Sequence, residues 1–324
     1  MIQGQKVIAF TPCGRKRYMD LLAAHVAHQH DLGNIDEWIL FNNAYSIEDS
    51  TYAAQLAAAF PWITVFNQAK PGIPEHIADF YKFMTQAEDV IYFRLDDDVI
   101  YIDDSAVPRL VDYRLKNPVP FLVFPTIINN VRTSYHLQQA GVVPMEWGVI
   151  KNEMCDLIAW KSPHYVWNLH QKALAALERG SLAEFTLPSE TFTDWEAGHI
   201  SINSFVIFGK DMLECTVHRD EEGYLSLWRP KVLNRQNARA GDAFVIHFAY
   251  HTQTEFMDKS GMLGDYTKFS PGLPFRTIRL APPLVAAAPD PPSPPPPNPN
   301  LSLVSRVLQR QMRERELQLR GLKA

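Results

Sequence analysis

Residues 89–104 read DVIYFRLDDDVIYIDD: a nearly continuous apolar run, Val90–Leu95, stops on Asp96, Asp97 and Asp98, with Asp103 and Asp104 close behind. A strand that is apolar at almost every position has both faces covered, as in a parallel sheet sandwiched between helices. The pattern repeats on the amino-terminal side. KVIAF precedes RKRYMDLLAAHVAHQH, EWILF precedes SIEDSTYAAQLAAAF, ITVF precedes PEHIADFYKFMTQAE, and residues 89–95 precede DDSAVPRLVDYRLKN. Strand and helix in alternation predict right-handed βαβ units, hence an α/β fold with a mostly parallel sheet flanked by helices.

Past residue 118 the order loosens. PFLVF predicts a strand, TIINN a polar loop, residues 163–179 a helix, and LPSETFTDWEAG a long loop of the kind that carries function. HISINSFVIFG and DAFVIHFAY predict two more strands on either side of the acidic and aromatic stretch DEEGYLSLWRP. The composition then changes to APPLVAAAPDPPSPPPPNPN, a proline-rich linker over residues 281–300 that spans on the order of 60 Å if extended. Residues 301–324 predict a basic amphipathic helix, with Leu301, Val304, Leu308 and Met312 on one face. Its six basic and two acidic side chains give +4, which leaves −9 for the rest of a chain of net charge −5. Docking on a protein partner, self-association and contact with an anionic membrane surface all remain open for it.

The whole chain has 324 residues, 46% apolar and 11% aromatic, enough for a sizeable core. Thirty-one basic against 36 acidic side chains give no bulk positive field, so nucleic acid is not indicated as a partner. Cys13, Cys155 and Cys215 are too few and too widely spaced for a disulfide framework or a zinc site. With no signal-peptide pattern and no long apolar span, the expected location is cytoplasmic, the basic tail leaving room for a peripheral position at the inner face of a membrane.

Chemistry concentrates at the aspartates. Ligands of open α/β sheets bind beyond the carboxyl ends of the strands, where Asp96 to Asp98 should lie. Three adjacent carboxylates repel one another, and a hard divalent cation, manganese or magnesium, relieves the conflict while phosphate oxygens complete its shell. Asp103 and Asp104 read instead as caps of the next helix. The turn after the first strand, TPCGRKR, places Thr11, Pro12 and Arg15 at a helix start whose amides can hold a diphosphate. Neither GxxxxGK[ST] nor GxGxxG is present. His247 lies inside the apolar run DAFVIHFAY, with His251 four residues on; Asp194 lies beside Trp195 on the long loop. Trp147, Trp160, Trp167, Trp195 and Trp228 offer aromatic faces that can stack on sugars.

Asp96-Asp97-Asp98, at the end of a central apolar strand, resembles the DxD motif of GT-A glycosyltransferases, a Rossmann-like fold; the general layout is similar over residues 6–266. The resemblance implies transfer of a sugar from a nucleotide-sugar donor to a hydroxyl acceptor, a glycan by default. It makes residues 1–280 one catalytic domain, with a donor half over 1–98 and an acceptor half over 99–280. It implies that Asp98 ligates a divalent metal bridging the donor diphosphate. Asp96 would contact the ribose or, through water, the metal. Thr11, Pro12, Arg15 and Asp97 would join Asp96 around the nucleotide, and His247 would supply a further metal ligand. Asp220-Glu221-Glu222, followed by Leu225, Ser226 and Arg229, resembles the acidic motif of family 2 enzymes with Glu in place of the usual Asp. That implies Glu222 as the base of an inverting transfer, with Glu221, Asp220 and Asp194 as the other candidates. Two further readings are nucleotidyl transfer, which expects a glycine-rich loop near the first strand, and a non-catalytic domain whose tail recruits partners.

Overall fold

The computed structural model describes residues 1–44, 46–67, 81, 84, 87–214 and 220–272. The chain divides into two units, Met1–Pro283 and Leu284–Ala324. The proline-rich linker and the basic helix expected over 281–324 lie outside the described residues, as do most of the helix expected over 74–88 and Cys215.

One nine-stranded sheet runs through the first unit in the order β3-β2-β1-β4-β8-β6-β9-β5, with β7 on the side of β9. Its strands are β1 (Lys6–Cys13), β2 (Glu37–Asn42), β3 (Ile63–Asn67), β4 (Val90–Leu95), β5 (Val99–Ile102), β6 (Val123–Ile128), β7 (Glu190–Thr191), β8 (Ser204–Phe208) and β9 (Ala238–His247). β1, β2, β3, β4, β6 and β9 run one way and β5, β7 and β8 the other, so the sheet is mostly parallel. Helices α1 (Lys16–Asp31), α2 (Ile47–Ala59), α3 (Ala106–Lys116), α4 (Val131–Gln139) and α5 (Pro163–Glu178) flank it. The expected α/β class, with helices about a mostly parallel sheet, is therefore what the chain adopts. Every residue of β4, β6 and β8 is buried, as strands covered on both faces require.

Two features follow from local chemistry. Ser46 caps α2 by accepting from Asp49 N, with Glu48 and Asp49 in the first turn where the helix dipole favours them. Asn130 caps α4 in the same way through Thr133 N. TIINN is therefore not a free loop: Thr126, Ile127 and Ile128 end β6, and the asparagines open the next helix. The stretch DEEGYLSLWRP is helical too, running from α6 (Glu221–Gly223) through a π-helical segment (Tyr224–Trp228) into α7 (Arg229–Leu233). π segments concentrate at functional sites.

Sequence periodicity misses α4 and, closer to the aspartates, β5. Only three residues separate β5 from the end of β4, yet β5 pairs antiparallel with the last residues of β9, Val99 opposite His247. β9 reaches that position through a bulge: Ala240 pairs with Pro125 and Phe244 with Thr126, so Gly241, Asp242 and Ala243 fall out of register. Asp96, Asp97 and Asp98 bridge the two strands. Asp96 N donates to Asn203 O just before β8 at 2.8 Å, and Phe248 N just after β9 donates to Asp98 O at 2.8 Å. No helix among the described residues is long and apolar enough to cross a membrane.

Candidate functional site

In the order 3-2-1-4 with all four strands parallel, the chain leaves β1 toward β2 on one side and comes back to β4 on the other. That is the point where open α/β sheets leave a crevice. A cleft of about 330 Å³ lies there, lined by Pro12, Gly14 and Arg15 after β1, Asn43 after β2, and Arg94, Asp96 and Asp97 at the end of β4.

Each aspartate has a separate arrangement. Asp96 accepts from Arg94 Nη2 at 2.9 Å and Nε at 3.2 Å, and from Asn203 Nδ2 at 3.3 Å. Asp97 accepts from Gly14 N at 2.9 Å and from Arg15 Nε at 3.0 Å and Nη2. Asp98 Oδ2 lies 2.9 Å from Arg15 Nη2 and 3.4 Å from His247 Nε2, while Asp98 Oδ1 is buried with no hydrogen-bond partner among the described residues. Burial opposes ionisation of all three. It raises Asp96 against the pull of Arg94, and Asp97 against that of Arg15. For Asp98 the nearby Arg15 and His247 outweigh burial and hold its carboxyl well below the ordinary range.

His247 is fixed from behind. Its Nδ1 lies 2.9 Å from the carbonyl of Asn129, a residue in the left-handed region at φ 64, and this contact leaves Nε2 to face Asp98. Burial lowers the imidazole pKa, but Asp98 reverses the effect and the net shift is upward. An oriented imidazole nitrogen facing Asp98 Oδ2, on a carboxylate whose other oxygen has no partner among the described residues, is a donor pair that fits manganese or magnesium. No group of three or more His, Cys, Asp or Glu among the described residues is placed to hold a metal ion. A metal bound here therefore takes its other ligands from phosphate oxygens or water, as magnesium sites commonly do. His251 is exposed, edge-on to Trp160, and does not join this pair.

The acidic run of the helix separates into three roles. Asp220 is exposed and caps α6, accepting from Gly223 N at 2.9 Å. Glu221 is held by Arg94 and the Tyr81 hydroxyl, so Arg94, itself fully buried, bridges Glu221 and Asp96. Glu222 carries a carboxyl pushed up to about 7 by burial, with Asp220 and Asp96 adding to the rise and hydrogen bonds from Ser201 and Ile202 opposing it. Asp194 is exposed and accepts from Glu196 N within its own turn.

Three expectations change in detail. Thr11 turns away from the cleft: it is fully buried and its hydroxyl accepts from Trp38 Nε1 at 3.0 Å. Two amides at the start of α1 are taken by carboxylates, Gly14 N by Asp97 and Lys16 N by Asp49, and the cationic side chains that line the cleft are Arg15 and Arg94, the latter committed to Asp96 and Glu221. Asp103 does hold a helix start, through Ser105 N, while Asp104 pairs with His28. Sequence reasoning missed Arg94, Tyr81, Asn203 and Asn130. Arg94 was visible as the one charge inside an apolar strand, and an isolated buried charge demands a partner. The amides link the site to α4: Asn130 Nδ2 donates to Ser201 O and Asn203 Oδ1, each at 3.1 Å.

No family model matches the chain, and no curated protein matches it. Among solved structures it is similar to one described as a mycobacterial protein, at 15% identity and TM-score 0.37 over 75% of this chain and 65% of that one. It is also similar to glucosyl-3-phosphoglycerate synthase from Mycobacterium tuberculosis in complex with Mn2+, UDP-glucose and phosphoglyceric acid, at 16% identity and TM-score 0.32 over 55% and 67%. A third is a 4-diphosphocytidyl-2C-methyl-D-erythritol synthase, at 16% identity and TM-score 0.27 over 37% and 59%. The chain thus spans about two thirds or less of each, and likeness at this level assigns no activity.

Proposed function

We propose that this chain is a metal-dependent glycosyltransferase of the GT-A type, which moves a sugar from a nucleotide-sugar donor to a hydroxyl acceptor of the glycan class. The observation that carries the reading is the pair Asp98 and His247. The carboxylate has one buried oxygen without a partner among the described residues, the oriented Nε2 lies 3.4 Å from its other oxygen, and Arg15, which holds that oxygen, lines a cleft at the carboxyl ends of parallel strands. Asp98 and His247 would hold manganese or magnesium, which when bound supplies electrostatic stabilisation of the departing diphosphate.

The remaining roles follow from position and charge. Arg15 and Pro12 face the nucleotide side of the cleft, and Asp97 fixes Arg15 there. Asp96, held by Arg94 and Asn203, presents its carboxylate to the ribose or to metal-bound water. Glu222 removes the proton from the acceptor hydroxyl, since a carboxyl titrating at about 7 is ionised in a useful fraction near neutrality and binds a proton more strongly than an ordinary glutamate. Glu221 is committed to Arg94 and Tyr81 and positions Asp96 through the shared guanidinium. Asp220 and Asp194 are occupied with turns of backbone.

The test is calorimetric titration of the intact chain with a panel of nucleoside diphosphates, with and without manganese, repeated on Asp98→Ala. Metal-dependent binding that disappears in the variant supports the reading. Absence of binding across the panel removes it.

A further inference from the structure

Arg15 reaches from the start of α1 and lays its guanidinium on the aspartate cluster. Nε is 3.0 and 3.3 Å from the two oxygens of Asp97, and Nη2 bonds Asp97 Oδ1 and stands 2.9 Å from Asp98 Oδ2. The carboxylates are fixed and enclosed, with side chains 6% and 5% exposed, while the arginine is 35% exposed and lines the cleft. The arginine is thus the member of the cluster open to an arriving ligand. Asp98 Oδ2, the oxygen that Arg15 holds, also stands 3.4 Å from His247 Nε2, while Asp98 Oδ1 stays buried and unpartnered among the described residues.

The local charges decide what such a site accepts. Asp96, Asp97, Asp98 and Glu221 set four negative charges against the two positive charges of Arg15 and Arg94. A divalent cation alone gains from the net negative charge but meets a guanidinium already on Asp98, and like charges a few ångströms apart in a buried site repel strongly. A diphosphate alone finds the guanidinium but also the aspartates. When the two arrive together each offsets the repulsion of the other, and the planar guanidinium is well shaped to take two phosphate oxygens in place of carboxylate oxygens.

We propose that Arg15 is a built-in counter-ion that makes divalent-metal binding at Asp98 and His247 conditional on the donor diphosphate, so that metal and nucleotide bind cooperatively. This rests on the site assignment above. It adds a cause for the cooperativity and names the residue responsible. In the metal-free state Arg15 holds Asp98; in the loaded state its guanidinium passes to the diphosphate and Asp98 is released to the metal. The exchange is a change of ion-pair partner and involves no covalent step.

Equilibrium dialysis of the full chain against manganese alone, and against manganese with inorganic pyrophosphate, tests the proposal without relying on turnover or on the identity of the base. The wild-type protein should hold manganese about ten-fold or more tightly when pyrophosphate is present, a coupling of ordinary size. Arg15→Gln should bind manganese alone about ten-fold more tightly than wild type and lose most of the pyrophosphate enhancement. Arg15→Lys, which keeps the charge but not the fork, should leave manganese alone bound as weakly as in wild type, and so guards against misfolding as the cause of the change in Arg15→Gln. Equal affinity of wild type and Arg15→Gln for manganese alone, or an enhancement that survives in Arg15→Gln, overturns the proposal. If that occurs while Asp98→Ala still abolishes nucleotide-dependent metal binding, the site assignment stands and the counter-ion role alone falls. If neither wild type nor Arg15→Gln takes up manganese under any of these conditions, both fall.

Discussion

His247 Nε2 stands 3.4 Å from Asp98 Oδ2 although 149 positions separate the two residues in the chain, and the antiparallel pairing of Val99 with His247 holds them in that relation. The contact depends on β5 crossing from the end of β4 to the end of β9. His247→Gln should therefore keep the fold while weakening manganese-dependent nucleotide binding by about 10- to 100-fold, the usual range for loss of an ordered metal-site group. Calorimetry with and without manganese reads the effect, and an unchanged manganese dependence would remove His247 from the ligand set.

Glu222 links catalysis to stability through its carboxyl at about 7. Transfer should rise with pH through about 7 and then level, and Glu222→Gln should lose activity by about 100-fold or more. The stability effect has the opposite slope. The folded-state value lies above the ordinary 4.5, so folding favours the neutral acid; that contribution is complete below 4.5 and lost as pH rises through about 7. Glu222→Gln should leave the urea midpoint unchanged at pH 4 and stabilise the protein at pH 8 by up to about 3 kcal/mol. A midpoint that does not move at pH 8 would contradict the buried, raised carboxyl.

Thr11 distinguishes support of the fold from contact with the nucleotide. Thr11→Val deprives the buried Trp38 indole N–H of its acceptor and should cost about 1–3 kcal/mol by denaturant unfolding. Nucleoside-diphosphate affinity should not change. A loss of affinity larger than the loss of stability would place Thr11 back among the ligand contacts.

Gly241 sits in the bulge of β9, where a Cβ would lie 1.8 Å from the Leu187 carbonyl oxygen. Its own amide donates to Ser189 Oγ and its carbonyl accepts from Leu187 N and Thr126 Oγ1, so the backbone has no freedom to retreat. Gly241→Ala should destabilise by at least about 3 kcal/mol. Because the bulge directs β9 toward Asp98, residual folded protein should also bind manganese less well. Wild-type stability in this variant would show that the strand can shift.

How much of this was legible beforehand differs between the two halves of the sheet. From β1 to β4 each strand is a local apolar run and the first three are paired in parallel with their neighbours, so alternation alone predicts class, direction and the position of the aspartates at a carboxyl end. Beyond Asp98 the pairing is non-local. Val99–Ile102 is too short to stand out as a strand, and nothing in its own residues specifies β9 as its partner. In the acidic run at 220–222 only the resemblance put Glu222 ahead of Glu221 and Asp220, and the structure adds what the run itself does not show: Asp220 caps, Glu221 pairs with Arg94, and the Glu222 carboxyl is raised by burial.

The sequence by itself determined the α/β class, the crowding of three carboxylates that demands a cation, and the change to proline-rich composition, because periodicity, like-charge repulsion and lack of apolar content are local properties. The tertiary structure alone decided which cation answers those carboxylates and what faces them. Arg15 from α1, Arg94 within β4 and His247 at the end of β9 meet the aspartates only after the sheet has closed around them, since a charge buried by distant strands must find its partner in space and not along the chain.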